Sequence, residues 1–168
     1  MTASDGALVV RVAELGDDLT RAGRIVHDAC LDLPGYPVDP SYDDSLRDAQ
    51  SRIAHGQIVI ALLEGLVVGC LTFLPEHTSE LTDFREPGFA SIRMFGVDRA
   101  VQGLGVGRRM MQWCIDEARR LGCTAIGLHT LDVMPAAARL YTSLGFERTP
   151  SLDADYDGIP GRAYVLRL

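Results

Sequence analysis

Apolar residues along this chain come in short blocks of two periods, one suited to strands and one to helices. Ala7–Val12 is a brief β-rich run. Asp17 to Leu33 has helical spacing, with Leu19, Ala22, Ile25, Val26, Ala29 and Leu33 on one broad face. Pro34, Pro37 and Pro40 then force a loop, because proline cannot continue a helix interior. A second helix is predicted over Tyr42–Ala54, with Leu46, Ala49 and Ile53 as its stripe, ended by His55-Gly56. Gln57–Leu63 and Val67–Phe73 read as strands joined by a Glu64-Gly65 hairpin turn. Residues 74–88 are polar and interrupted by Pro75, Pro87 and Gly88, and connectors of that length are often functional.

The second half alternates more regularly. Ala90–Val97 is a strand and Leu104–Leu121 a helix whose inner face carries Met110, Cys114, Ala118 and Leu121, with Gly122 as its cap. Ala125–His129 is a strand. Pro135 opens a short helix ending before Gly145, and Gly161–Leu168 is the last strand. Interleaved strands and helices predict one mixed-sheet α/β domain over residues 1–168.

Composition narrows the function classes. The 168 residues carry 16 basic and 23 acidic side chains for a formal net charge of −7, which argues against non-specific nucleic-acid binding. No window approaches the ~18 consecutive apolar residues of a membrane span. The opening Met-Thr-Ala-Ser-Asp-Gly lacks the basic start and apolar stretch of a signal peptide, so a cytoplasmic location is expected. Cys30, Cys70, Cys114 and Cys123 are scattered, without metal-ligand spacing, which reads as reduced thiols and no metal.

Residues 94–107 carry the most chemistry. An apolar run ends at Val97, the chain turns, and glycines alternate at 103, 105 and 107 just before a helix. Such glycines bare the backbone amides, and the helix dipole favours an anion there, typically a phosphate. A P-loop is excluded because no Gly-Lys pair exists in the chain. The dinucleotide fingerprint is excluded too. Counting from Gly103 puts Arg108 at its third glycine, and Cys123–Thr130 supplies no ribose-binding acid about 20 residues on.

What remains resembles the GNAT superfamily of N-acetyltransferases. Gln102-Gly-Leu-Gly-Val-Gly107 fits that family's pyrophosphate signature, and Pro135-Ala-Ala-Ala-Arg-Leu-Tyr-Thr-Ser-Leu-Gly-Phe146 fits its later helix and turn. The resemblance implies a central mixed, mostly antiparallel twisted sheet of about seven strands, splayed between the fourth and fifth, flanked by about four helices. It implies acetyl-CoA as cosubstrate. Backbone of Phe95, Gly96 and Val97 would bind the pantetheine arm, and amides of Gln102, Gly103, Leu104, Gly105, Val106, Gly107 and Arg108 the pyrophosphate. Gly96 inside that strand would mark a bulge or a close backbone approach. Met134 stands where relatives often place an asparagine that contacts the arm, three residues before Ala137.

The resemblance further implies direct attack by a primary amine, on a small molecule or a peptide, in a ternary complex. Tyr141 would protonate the departing sulfur. Ser91 occupies the place of the family's glutamate base, and a serine cannot do a carboxylate's work. Asp132 and His129 are alternative bases, and Arg93 shares the face of Ser91. Tyr36, Tyr42 and Phe84 are candidate walls for the acceptor, beside an acidic loop at 153–158. Many relatives are dimers, so a homodimer is compatible. Two other readings stay open: a coenzyme A-binding sensor without turnover, favoured by Ser91 and Met134, and a module in which the glycines only turn the chain.

Overall fold

A computed structural model describes residues 6–168; the polar opening at residues 1–5 lies outside the described residues. In chain order the elements are β1 Leu8–Val12, α1 Leu19–Leu31, α2 Pro40–Arg47, α3 Ala49–Arg52, β2 Gln57–Leu63, β3 Leu66–Leu74, β4 Phe89–Val97, α4 Val106–Arg120, β5 Ala125–Thr130, α5 Pro135–Ser143, β6 Glu147–Arg148, β7 Ala154–Tyr156 and β8 Ile159–Arg167. They form an eight-stranded sheet in the order β1-β2-β3-β4-β5-β8-β6, with β7 paired to β8. Every pairing is antiparallel except β4 with β5. The mostly antiparallel sheet expected from the sequence is present; among the described residues it has eight strands where about seven were expected, and five α-helices where about four were. No helix among the described residues is long and apolar enough to cross a membrane.

Helices cover both faces. α4 and α5 close one, where Met110, Met111, Cys114 and Tyr141 pack with Phe73, Ile126 and Leu128. On the other, Ala22, Ile25, Val26 and Leu46 pack on Ile58, Ile60 and Cys70. A third, smaller cluster of Phe84, Phe89, Ala125, Ala163 and Val165 lies under the 75–88 segment. Capping sets where the helices begin: the Asp18 carboxylate accepts from Arg21 N–H, and Asp39 accepts from Ser41 N–H ahead of Pro40.

The single helix expected over 42–54 is two. Asp48 breaks it at φ −91°, ψ 70°, with its carboxylate capping Ser51 N–H. The buried Arg52 then turns back, donating to the Ser45 carbonyl at 2.6 Å and to Thr72 Oγ1 at 2.9 Å. Ile53 consequently points outward instead of completing the apolar stripe. A second correction concerns residues 153–158. They form β7 and a tight hairpin through Asp157 and Gly158, both at positive φ, rather than a loop.

Of the two readings of Gly96, the close backbone approach holds, to α1. A Cβ there would stand 2.7 Å from Val26 Cα and 3.0 Å from the Ile25 carbonyl oxygen, so its hydrogen lets the helix lie directly on β4. Gly96→Ala is expected to cost about 1–3 kcal/mol by overpacking. That lowers Tm by roughly 3–10 °C in a thermal melt.

Candidate active site

The site begins with a break in strand pairing. β4 and β5 pair only over Phe89↔Ala125, Ala90↔Ile126 and Ser91↔Gly127, and beyond Ser91 they diverge. The cause lies on the opposite edge of β4. Cys70 pairs with Gly96 and Thr72 with Arg93, so Met94 and Phe95 together face the single residue Leu71. This β-bulge, with Met94 in the left-handed region at φ 51°, bends β4 away from its parallel neighbour.

The gap opens a cleft of about 490 Å³ that reaches both faces of the sheet. Side chains alternate along a strand, so Leu128 and Thr130 look toward α4 and α5 while Gly127 and His129 look the other way. Phe95, Leu128, Thr130, Met134 and Tyr141 line the first side of the cleft; Phe84, Ser91, Arg93 and His129 line the second.

Past β4 the chain makes a short helical turn at Arg99–Val101 and enters the glycine loop. Gly103 and Gly105 both sit at positive φ, 83° and 80°, and a Cβ on either would meet nothing within 4 Å. Among the described residues neither amide has a backbone hydrogen-bond partner, whereas Gln102 N–H donates to the Arg99 carbonyl and Leu104 N–H to the Val101 carbonyl, each at 3.3 Å. α4 starts from Gly105 with no side-chain cap, and its first internal hydrogen bond is Arg109 N–H to the Gly105 carbonyl. The amides of Gly105 to Arg108 are thus left without partners inside the helix. The loop is anchored by Val106, which is buried, while Leu104 points outward. Arg108 donates to Ser143 Oγ at 2.6 Å and Arg109 to the Leu8 carbonyl at 3.3 Å, so both are held rather than freely solvated. Gln102, Val97 and Arg99 border a second cavity of about 410 Å³ against α1.

Tyr141 on α5 is buried beside Phe146 and Tyr164 and reaches the cleft. Burial, and secondarily the neighbouring Cys30, push its phenol pKa up. Ser91 is buried with its hydroxyl 2.7 Å from Thr82 Oγ1, which also accepts from Phe84 N–H. Arg93 donates to the Leu81 carbonyl. Two side chains of β4 thereby pin the 75–88 segment across the cleft. Asp132 faces solvent, outside the cleft's walls, in a two-pronged pair with Arg162 at 3.0 Å on each prong. That pairing lowers its pKa. Ala137 packs on the main core rather than on the cleft.

A family model described as the acetyltransferase (GNAT) family matches residues 24–146. The chain belongs to the GNAT family. An uncharacterized N-acetyltransferase of Schizosaccharomyces pombe is 30% identical over 110 residues, 64% of this chain and 63% of that protein. A mycothiol acetyltransferase of Thermomonospora curvata is 28% identical over 160 residues, 95% of this chain and 50% of that protein. The chain thus spans less than two thirds of the length of either curated relative. Among solved structures, a GCN5-related N-acetyltransferase from Kribbella flavida superposes with TM-score 0.73 at 25% identity, covering 96% of this chain and 98% of that one. The yncA structure from Salmonella typhimurium, which contains its cofactor acetyl-CoA, superposes with TM-score 0.69 at 25% identity, covering 96% and 94%.

Several residues of this GNAT cleft were not singled out by the sequence, although most lie in segments it pointed to. The Thr130 hydroxyl is buried and finds no hydrogen-bond partner among the described residues, on the side that α5 covers. Cys30 of α1 reaches the cleft, but burial pushes its thiol up to about 11, so it stays protonated and a poor nucleophile at neutral pH. Asp39, Asp83 and the adjacent pair Asp155 and Tyr156 come from three separate segments to the second side. Tyr36 and Tyr42, named from the sequence as acceptor walls, line it as well.

Proposed function

We propose that this GNAT chain moves an acetyl group from acetyl-CoA to a primary amine by direct attack in a ternary complex. The splayed β4–β5 gap, ending at a glycine loop and the uncapped N-terminus of α4, is the observation that carries the reading. It has the shape for a donor that is an extended amide-bearing arm at one end and a pyrophosphate at the other. The amides of Gly103 and of Gly105 to Arg108, with the N-terminus of α4, would hold the pyrophosphate, while those of Gln102 and Leu104, also expected there, already donate to the Arg99 and Val101 carbonyls. The free backbone edge of Phe95 and Val97 and the orphaned Thr130 hydroxyl would meet the arm's amides. Met134 supplies an apolar wall there in place of hydrogen bonds.

Bound acetyl-CoA supplies an activated thioester, and the protein's own groups do the rest. Tyr141, kept protonated by burial, donates its hydroxyl proton to the sulfur as the carbon–sulfur bond breaks. Ser91 holds Thr82 and shapes the wall without taking a proton. Asp132, paired with Arg162 away from the cleft, is not the base. Chemistry therefore runs through the gap, with the leaving group on the α5 side and the amine arriving from the 75–88 side.

Thermal unfolding with acetyl-CoA, coenzyme A and NADH in parallel tests this reading. Ligand at 100 times its Kd adds about 2.7 kcal/mol, worth roughly 5–10 °C in a domain of this size. The two coenzyme A compounds are expected to give that shift, and NADH none. Binding followed by release of free thiol with an amine establishes turnover. Binding without thiol release from any of a broad amine panel favours a sensor, and absence of binding overturns the assignment.

A further inference from the structure

An ammonium with the ordinary lysine pKa of about 10.4 is more than 99% protonated at neutral pH and must lose a proton before it attacks. Ser91 and Asp132 do not meet that need. Of the cleft's other acids, Asp157 sits at the tip of the β7–β8 hairpin at positive φ, and two are engaged elsewhere. Asp39 caps α2 through Ser41 and Tyr42, and Asp155 accepts the Gly158 amide at 2.6 Å.

His129 stands apart. Its side chain is 9% exposed and lines the second side of the cleft. Phe84 stacks on the ring with centroids 4.8 Å apart, and Tyr156 meets it edge-on at 6.1 Å. Nε2 lies 2.8 Å from the Leu152 carbonyl oxygen, which can only accept, so that nitrogen carries the hydrogen. In the neutral ring the lone pair is therefore on Nδ1. Nδ1 is 3.7 Å from Asp83 Oδ2, which accepts instead from the Tyr156 hydroxyl at 2.8 Å. A proton arriving on Nδ1 would find that carboxylate waiting.

Resting on the acetyl-transfer reading above, we infer that His129 Nδ1 takes the proton from the attacking amine, with Asp83 positioned to stabilise the imidazolium that results. The groups facing this ring are Asp83 from the 75–88 segment, Tyr156 from β7 and, across the cleft, Arg93 from β4. The protons balance as follows. The ammonium gives one proton to Nδ1, and its nitrogen bonds the acetyl carbon as the carbon–sulfur bond breaks. Sulfur leaves with the electron pair and takes the Tyr141 proton. The nitrogen's second proton refills Tyr141, and His129 passes its own to solvent. Asp83 is a positioning residue; His129 touches the substrate.

The test uses the full chain and two acceptor probes of different charge, putrescine, a protonated diamine at neutral pH, and hydroxylamine, already neutral. His129→Asn and His129→Phe, the second keeping the stack on Phe84, are expected to bind acetyl-CoA within about twofold of the parent. Each loses about 100-fold in kcat on putrescine at neutral pH and far less on hydroxylamine, which needs no base. The putrescine deficit narrows as pH rises, because the amine then sheds its proton to water. Asp83→Asn shows the same selectivity at about tenfold. Nitrogen NMR of the histidines is expected to find neutral His129 with hydrogen on Nε2. Equal loss on both amines, no loss on either, or hydrogen on Nδ1 in the neutral ring overturns the inference. Failure of the parent protein to bind acetyl-CoA overturns the acetyl-transfer reading as well, and so separates the two failures.

Discussion

Gly105→Asp is expected to weaken acetyl-CoA binding about a thousandfold, some 4 kcal/mol, while the protein still folds. Gly105 is at φ 80° with open space where a Cβ would go, so the cost to the fold is backbone strain alone. That strain is about 1–2 kcal/mol, and aspartate tolerates the left-handed region better than most residues. The effect on the ligand is much larger. A hydrogen bond to a charged group contributes about 1.5–3 kcal/mol, and a carboxylate at this position displaces the pyrophosphate from at least two amides and repels it. Calorimetric titration checks the change in Kd, and a thermal melt without ligand separates it from unfolding. Unchanged affinity would remove the loop from the donor site.

Tyr141→Phe should leave acetyl-CoA affinity within about twofold and lower kcat by about 100- to 1000-fold, the scale of a lost general acid. The ring stays between Phe146 and Tyr164, so packing is kept and only the hydroxyl goes. The pH profile has a definite sign. The acid form of the phenol is the active one, and burial raises its pKa above the ordinary tyrosine value of about 10. Tyr141 therefore keeps its proton throughout the alkaline range and imposes no fall in rate between neutral pH and about pH 10. A descending limb there that disappears in Tyr141→Phe, or an unaltered kcat, would count against the role.

The glycine loop and the turn after α5 were legible because they are local. Three glycines, the helix behind them and the Pro135–Phe146 segment each lie within a dozen or so residues, and local conformation follows from residue type. The bulge was less so. Gly96 read equally as a bulge or a close backbone approach, but a bulge is a mismatch with a partner strand, and only the pairing of β3 with β4 puts it at Met94 and Phe95. The break at Asp48 was hidden because hydrophobic spacing runs on through it, and the buried Arg52 that turns the chain back toward Ser45 is a tertiary contact.

The acceptor half was the least legible. Its walls come from α2, the 75–88 segment, β5 and β7, and no short motif spans them. Asp132 and His129 were equal candidates for the base three residues apart. What separates them is distant: Arg162 draws the aspartate outward, while Leu152, Phe84 and Asp83 hold the histidine inward.

Most of the order of elements, the glycine loop ahead of α4 and family membership thus follow from the chain's own string of residues, since each depends on short-range spacing and on glycine and proline conformations. The depth of the β4–β5 gap, the partners of each carboxylate and the nitrogen of His129 left with a lone pair were decided only by the tertiary structure. They depend on strand register and on hydrogen bonds between residues up to 73 apart in sequence, such as Tyr156 to Asp83, which no local pattern encodes.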